Sequence, residues 1–261
     1  MTHRETGYWD SVGREWARDR PQRLWREHSD AVNRALVDRW LPAGPCRVLK
    51  TDAFDEAFGG GIAGYLDSRG ACTWLVDLSV TVIEEARAGN PGLKGVGADV
   101  RSLPFPPECF DAAVSLSTLD HFDSLGDLER ALAELRRVLR PSGRLVITMD
   151  NPGNPAVTLR ARLPYAWLHR IGLVPYYVGV TVGRRRLAEL LDRAGFAVTE
   201  VRATQHVPRA PAIALAGLLS RVGGRRARRA FLRVAGGLEA VERLPTRYLT
   251  GYFVAARAIR R

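Results

Sequence analysis

Apolar residues recur at helical spacing in the first part of the chain and then alternate between strand and helix patterns. Residues 1–42 carry two helical stripes, the first over 9–16 and the second over 32–41. Proline and glycine residues at 42–45, beginning with Pro42, end this N-terminal helical segment. Beyond them, short apolar runs separate segments of helical periodicity, and the pattern loosens after Pro155.

The short apolar runs predict seven strands, at 47–49, 73–76, 95–99, 110–116, 144–149, 197–202 and 248–255. The clearest helix is predicted over 125–139, where leucines form one stripe and arginines crowd the last turn. Strands separated by helices predict right-handed parallel βαβ units, and therefore an α/β fold with a doubly wound sheet. Ligands of such sheets bind at the carboxyl ends of the strands, so the residues that follow each strand are the candidates for chemistry.

Charge is distributed unevenly along the 261 residues, whose formal net charge is +11. Residues 1–155 hold 19 basic and 23 acidic side chains, whereas residues 156–261 hold 20 basic and 5 acidic ones. This asymmetry predicts that the second part faces an acidic partner. However, only two of the 39 basic residues are lysine, and an arginine bias with abundant alanine and glycine also fits a GC-rich genome.

The chain starts with polar and charged residues and has no long apolar run. We therefore expect no signal peptide and no membrane-spanning helix. Cys46, Cys72 and Cys109 have no CxxC spacing and no histidine cluster beside them. We therefore expect no metal site, and we interpret the cysteines as thiols of a cytoplasmic protein.

Four sequence blocks follow one another after the first strand, at 74–79, 97–105, 110–115 and 135–145. In these blocks the chain resembles the class I S-adenosylmethionine-dependent methyltransferases, of the small-molecule, type 11-like kind. The resemblance implies a Rossmann-like, seven-stranded, mostly parallel sheet in a single domain over 1–261, with S-adenosyl-L-methionine as cofactor. The loosened pattern after Pro155 further predicts that the segments 156–182 and 208–245 are helical lid insertions.

Two aspartates carry the implied cofactor contacts. Asp77 ends the second strand, where a carboxylate is well placed to accept two ribose hydroxyl protons. Its alternative role, as the N-cap of the next helix, is weaker because Ser79 is available. Asp99 is implied to accept from the adenine amino group while Val100 packs on the ring, and a solvated turn is the alternative.

The first strand departs from the family pattern, which has an acid at the strand end followed by glycines at alternate positions. Lys50 replaces the acid, Asp52 replaces the first glycine, and Phe54 would occupy space that glycine leaves for the ligand. Either the loop is rebuilt around a later glycine cluster, or the pocket holds something else; Lys50 paired with a nearby acid is a structural interpretation. The cofactor residues implied by the resemblance are Asp52, Gly59, Gly60, Gly61, Asp77, Leu78, Asp99, Val100 and Ser117.

The candidate catalytic residues follow the fourth and fifth strands. For an oxygen acceptor, His121 is a candidate general base, with Asp120 beside it. In the resembled family a histidine at this place often only contacts the cofactor or the helix below, which is the interpretation we favour. Asp150 faces the same cleft, although a turn with Pro152 and Gly153 competes with a catalytic role.

Aromatic residues of the N-terminal segment and the first insertion predict a lid over a bulky apolar or aromatic acceptor. They are Tyr8, Trp9, Tyr165, Trp167, Tyr176 and Tyr177. For Tyr8 and Trp9, packing in the core is the alternative. In the second insertion, an apolar helix next to an arginine cluster at 225–229 is typical either of contact with an anionic membrane or phosphorylated lipid, or of a solvated lid. A nucleic-acid partner is not expected, because that cluster is short and lacks interleaved aromatic residues.

The resemblance therefore implies a methyltransferase, and the aromatic insertions predict a small, apolar, lipid-like or secondary-metabolite acceptor. The oligomeric state stays open. The altered first-strand loop also fits a second class of function. A protein of this fold can lose methylation and act as a cyclase, a rearrangement enzyme or a non-catalytic binding subunit.

Overall fold

A computed structural model describes residues 3–18, 22–41, 44–171 and 174–261 of the chain. Its strands are β1 (Cys46–Lys50), β2 (Ala71–Asp77), β3 (Lys94–Gly97), β4 (Phe110–Leu116), β5 (Leu139–Asp150), β6 (Phe196–Thr204) and β7 (Phe253–Arg260). They form one seven-stranded sheet in the order β3-β2-β1-β4-β5-β7-β6, in which only β7 runs antiparallel to its neighbours. The predicted doubly wound, mostly parallel sheet is confirmed.

Helices precede the sheet, connect its strands and extend beyond them. The α-helices are α1 (His3–Arg18), α2 (Arg23–Trp40), α3 (Phe54–Phe58), α4 (Ala63–Ser68), α5 (Val80–Gly89), α6 (Leu125–Val138), α7 (Pro155–Arg162), α8 (Tyr165–Arg170), α9 (Arg184–Arg193), α10 (Arg209–Val222), α11 (Arg225–Leu238) and α12 (Arg247–Thr250). Two short 3-10 helices span Leu119–His121 and Glu239–Arg243. No helix in the described ranges is long and apolar enough to cross a membrane.

The strand order reverses between β1 and β4. From β1 the chain proceeds to β2 and β3 on one side, and it then returns to place β4 and β5 on the other side. The connections on either side of this point leave the carboxyl ends of β1 and β4 uncovered, which creates a crevice for ligands.

Helix α6 shows how the apolar stripe builds the core. Leu128, Leu132 and Leu135 are fully buried against the sheet, as the leucine spacing predicts. The Ser124 hydroxyl accepts a hydrogen bond from the Asp127 N–H and so caps the first turn. Leu125, at the first helical position, remains partly exposed.

The largest errors in the predicted strand boundaries concern β7 and the start of β5. The closing strand begins at Phe253 rather than at residue 248, because Tyr248 belongs to α12 and its hydroxyl bonds to the Val201 carbonyl. β5 begins at Leu139, which pairs with Phe110 ahead of a β-bulge in the register. The predicted end of the N-terminal helical segment at Pro42 lies outside the described residues.

Candidate functional site

A cavity of about 600 Å³ lies at the carboxyl ends of the parallel strands, next to the point where the strand order reverses. Its volume lies within the range of about 300–1,000 Å³ that small-molecule sites occupy. Residues that follow β1, β2, β3 and β4 line it, together with side chains of α1, α2 and α10. Gln22, Ser117 and Gln205 also line it, and each is a non-glycine residue with positive φ. Backbone strain of this kind collects at functional sites.

Asp77 lies half-buried at the end of β2 and lines the cavity. One oxygen accepts from the Ser79 N–H at 2.9 Å, and the other accepts from the Ala53 N–H at 3.0 Å. Burial raises the pKa of Asp77 to about 7, although both N–H bonds oppose the rise. Each oxygen keeps a free lone pair, so the carboxylate has room for two further hydroxyl donors. Ser79, rather than Asp77, caps α5 through its hydroxyl.

Asp99 lines the cavity after β3, but its carboxylate is already engaged. Arg101 donates to it from Nε at 2.9 Å and from a terminal nitrogen at 2.7 Å. Arg101 also forms an ion pair with Asp127 at 2.8 Å. Asp99 is therefore a buried, ion-paired residue of the cavity wall. It does begin a turn, in which the Ser102 N–H donates to its carbonyl oxygen at 2.9 Å, but Asp99 is not solvated. A ligand amino group has to share the carboxylate with Arg101. The neighbouring Val100 is buried in the cavity wall, and Leu78 lines the wall beside Asp77.

The charges of the first-strand loop are paired inside the protein. Lys50 is only 1% exposed, and its Nζ donates to carboxylate oxygens of Asp52 and Glu56, each at 2.9 Å. Burial lowers the pKa of Lys50, but the two acids raise it above its usual range, so the ammonium stays charged. The second Glu56 oxygen accepts from the N–H groups of Ile62 and Ala63 at the start of α4. The pairing interpretation of Lys50 is thus confirmed, with two partners instead of one.

The glycine cluster after this loop does not line the cavity. Gly59 packs on Arg26, where an added Cβ would lie 2.6 Å from Nε, and Gly61 packs on the Glu56 carboxylate. Gly60 and Gly61 have positive φ values of 130° and 68°, which favour glycine. The structure therefore corrects the expectation that Gly59, Gly60 and Gly61 approach the cofactor, because their close contacts are with the protein's own charged side chains.

Phe54 begins α3 and turns its ring toward the cavity. It packs edge to face on Trp16 and on Phe58, with ring centroids 4.9 Å apart in both pairs. The Arg26 guanidinium lies 5.2 Å from its centroid and forms an ion pair with Asp55. A short aromatic helix thus takes the place of the glycine turn that the resembled family has here.

His121 is held in one orientation at the edge of the cavity. Its Nδ1 lies 2.7 Å from the Tyr177 carbonyl oxygen, which can only accept, so Nδ1 carries the proton. Its ring packs on Trp9 and Tyr176 at centroid distances of 4.8 and 5.4 Å. In the neutral ring, Nε2 is left with a lone pair, which is the state that a general base requires.

Asp120 and Asp150 are buried and do not line the cavity. One Asp120 oxygen accepts from the Ser117 hydroxyl at 2.9 Å, and the other lies 3.9 Å from His121 Nε2 without a hydrogen-bond partner. Burial and the Asp150 charge raise the pKa of Asp120 to about 6. Asp150 forms an ion pair with Arg160. The structure therefore corrects the expectation that Asp120 and Asp150 face the cleft, because both carboxylates lie behind its wall and are engaged by the protein's own side chains.

Five of the six aromatic residues predicted for the lid come together at the cavity. Tyr8, Trp9, Tyr165, Tyr176 and Tyr177 line the cavity. The Tyr8 oxygen accepts from the Tyr177 N–H at 2.8 Å and lies 3.1 Å from the Tyr165 hydroxyl, so α1 is fastened to the first insertion. Trp167 is 52% exposed and does not line the cavity, which removes it from the predicted lid.

Sequence reasoning missed the residues that α2 and α10 contribute to the cavity. Trp25 and Arg26 reach it from α2, and Arg209 reaches it from the first turn of α10. No motif marks them. The only signal for Arg209 is its place at the start of an apolar helix, directly after Pro208.

Comparison with known proteins gives a consistent set of relatives. Residues 57–147 match the family model described as a methyltransferase domain. A 2-phytyl-1,4-naphtoquinone methyltransferase from Nostoc punctiforme is 30% identical over 199 residues, which cover 62% of this chain and 84% of that protein. With three other curated relatives, the match covers only 36%, 48% and 34% of their lengths.

Two solved structures share the fold over most of the chain. An S-adenosylmethionine-dependent methyltransferase from Thermotoga maritima superposes with a TM-score of 0.63 at 19% identity, covering 98% of this chain and 99% of that one. The (4+2)-cyclase SpnF superposes with a TM-score of 0.57 at 20% identity, covering 88% and 80%. At these identities the two structures show the shared fold alone.

Proposed function

Because the chain belongs to the class I S-adenosylmethionine-dependent methyltransferase family, we propose that it methylates an oxygen, nitrogen or carbon atom of a small, apolar or aromatic acceptor. S-adenosylmethionine is the cofactor of that family, and when bound it supplies an electrophilic methyl group. The observation that carries the proposal is the half-buried Asp77 carboxylate, which lines a cavity of about 600 Å³ and can accept further hydrogen bonds.

The residues at the strand ends fit this cofactor. Asp77 would hold the ribose hydroxyls, and Leu78 and Val100 would flank the adenine. Asp52 lines the same cavity with a carboxylate that Lys50 and the Thr118 hydroxyl hold in place. That carboxylate would meet the methionine ammonium group, a contact for which the usual glycine loop has no side chain.

The aromatic residues that line the cavity suit the acceptor. Tyr165, Tyr176, Tyr177 and Trp25 would contact an aromatic or apolar body. His121 Nε2 would take a proton from an oxygen or nitrogen acceptor as the new bond forms. The lone pair of Asp120 that has no hydrogen-bond partner in the described structure would stabilise the resulting imidazolium.

Titration calorimetry with S-adenosylmethionine and S-adenosylhomocysteine tests the proposal. Binding of both is expected, together with transfer of a labelled methyl group to a member of a panel of naphthols and phenols. Absence of heat and of a thermal shift at millimolar cofactor concentration would overturn the proposal.

A second function has a specific observation in its favour. Phe54 and the Lys50 pairs replace the ordinary loop, and the fold is shared with the cyclase SpnF. The test is to incubate the chain with the cofactor and a polyene probe. This alternative is supported over methylation if the cofactor binds, no methyl group is transferred, and the probe becomes a cyclised isomer of unchanged mass.

The face made by α10 and α11 suits an anionic membrane surface, and we propose peripheral contact there. Leu218 and Val222 on α10 are largely exposed, the latter at 76%. Arg225, Arg226 and Arg229 follow on α11, and none of them has an ion-pair partner among the described residues. Apolar side chains beside unpaired cations are the combination that binds anionic lipid headgroups.

Sedimentation with vesicles tests this contact. Vesicles containing phosphatidylglycerol are expected to retain the protein, and vesicles of phosphatidylcholine alone are not. The double variant Arg225→Glu/Arg226→Glu should lose about tenfold or more in binding, whereas Arg185→Glu/Arg193→Glu on α9 should keep it. Equal retention by both vesicle types, or equal loss in both variants, would contradict the proposal.

A further inference from the structure

Arg209 differs from the other arginines that line the cavity. Arg26 is paired with Asp55, and Arg101 is paired with Asp99. Arg209 forms no ion pair among the described residues, although it too lines the cavity. A cation that is largely enclosed by protein and has no counter-ion of its own is costly unless a ligand supplies one.

The contacts of Arg209 hold its guanidinium in place without neutralising it. The group lies 5.0 Å from the centroid of the Tyr252 ring and is hydrogen-bonded to Tyr176. The Asp150 carboxylate acts on this charge electrostatically, but it forms its ion pair with Arg160. Burial lowers the pKa of Arg209, but Tyr252, Tyr176 and Asp150 raise it above its usual range, so the charge is retained.

The helix that carries Arg209 adds to the positive potential. Arg209 is the first residue of α10, whose 14 residues have no acidic side chain in the first turn and no side-chain cap. The partial positive charge of the helix N-terminus is therefore not compensated by a residue of the helix itself. This partial charge and the guanidinium charge both favour an anion at the start of α10.

The position of Arg209 belongs to the acceptor side of the site. The residues that it contacts, Tyr176 and Tyr252, are distinct from those assigned to the cofactor. Tyr176 also packs on the His121 ring at 5.4 Å between centroids. A group bound at Arg209 is thus separated from His121 by a single aromatic side chain.

We propose that the acceptor carries an anionic group, a carboxylate or a phosphate, which forms an ion pair with Arg209. This inference rests on the proposed methyltransferase function and specifies its substrate class as an apolar or aromatic body with one acidic end. The planar guanidinium can donate two parallel hydrogen bonds to either oxyanion. The anion would also orient the acceptor, so that the atom to be methylated lies near His121.

The test uses the full chain saturated with S-adenosylhomocysteine and three ligands that share one ring system. These ligands are 2-naphthoate, 2-naphthyl phosphate and the neutral 2-naphthamide, each titrated calorimetrically. At least one acid is expected to bind about tenfold or more tightly than the amide, the usual gain from a charge-assisted hydrogen bond. The preferred acid distinguishes a carboxylate acceptor from a phosphate acceptor.

Arg209→Gln is expected to remove the preference for the acid, and Arg209→Lys to keep part of it. Arg184→Gln is the matched control, because Arg184 stacks on Tyr248 at 4.5 Å without lining the cavity. Thermal melting of each variant verifies folding. Equal binding of acid and amide by the unaltered chain, no binding of either acid at millimolar concentration, or a preference that survives in Arg209→Gln overturns the proposal.

Binding of S-adenosylhomocysteine is measured separately and distinguishes two kinds of failure. If it binds but no acid is preferred, only the anion site is overturned. If it does not bind, the proposed function fails, and the acceptor assigned here fails with it.

Discussion

The pH dependence of cofactor binding tests the role of Asp77 directly. Burial raises the pKa of this carboxyl to about 7, against the opposing N–H bonds of Ala53 and Ser79. A ribose hydroxyl donates a stronger hydrogen bond to an ionised carboxylate than to a carboxylic acid. We therefore expect S-adenosylhomocysteine to bind more tightly as the pH rises through the pKa of Asp77.

The size of the effect follows from the titration of this one group. With the pKa at about 7, roughly a tenth of the Asp77 carboxyls are ionised one pH unit below it and roughly nine tenths one unit above it. If binding requires the ionised form, the dissociation constant falls about tenfold over this range. Asp77→Asn cannot ionise, so it should lose the pH dependence and weaken binding at the upper pH by about 1–3 kcal/mol.

Calorimetric titrations at about pH 6, 7 and 8, at constant ionic strength, measure both quantities. Asp67→Asn is the matched control, because the Asp67 carboxylate accepts from the Thr73 N–H at 2.9 Å without lining the cavity. It should keep the affinity and the pH dependence. An affinity of the unaltered chain that does not change with pH, or a slope that survives in Asp77→Asn, would refute the assignment of Asp77 to the ribose.

Three further predictions concern catalysis and stability. His121→Asn should lower kcat for an oxygen acceptor by about 10²–10⁴-fold and flatten its pH profile, with little change in KM. Steady-state kinetics measures these constants, and an unchanged kcat excludes His121 as the base. Lys50→Met should lower the free energy of unfolding by about 3–5 kcal/mol, because Asp52 and Glu56 lose their buried counter-ion. Urea denaturation measures this, and Lys50→Met/Glu56→Gln should recover part of the loss. Thermal stability should fall as the pH rises from about 4 to about 7, because burial raises the pKa values of Asp30 and Asp77 to about 7. Over that range the carboxyls of the unfolded chain are already ionised, whereas those of the folded state keep their protons. A melting temperature that rises over this range contradicts the prediction.

The fold was predictable from the sequence because its signals are local. The alternation of short apolar runs and helical stripes places β4 at the predicted residues and α6 within one residue. Asp77 and Ser117 were found by the same logic, since a residue at the carboxyl end of a parallel strand faces the crevice whatever its neighbours are.

The missed features depend on pairs of residues that are distant in sequence. Nothing near Arg209 indicates that Tyr176 and Tyr252 hold it in the cavity. The glycine cluster resembled a ligand loop, but the close approach that it permits is to Arg26 and Glu56. Such partners are chosen by tertiary packing, which a one-dimensional pattern does not encode.

The Lys50 pairs also restrict the order in which substitutions can accumulate in this loop. An acidic residue at position 50 would repel the carboxylates of Asp52 and Glu56, which now bind Lys50. If Glu56 were neutralised before that change, Lys50 would keep only Asp52 as its partner. Either single step removes a buried charge pair, at a cost of about 3–5 kcal/mol from a total stability of about 5–15 kcal/mol. A loop with Lys50 and its two acids and a loop with the acid and glycines of the family are therefore separated by single-substitution variants of low stability. Exchange between them requires paired changes, so a descendant of this chain is expected to retain the lysine and its acids as a unit.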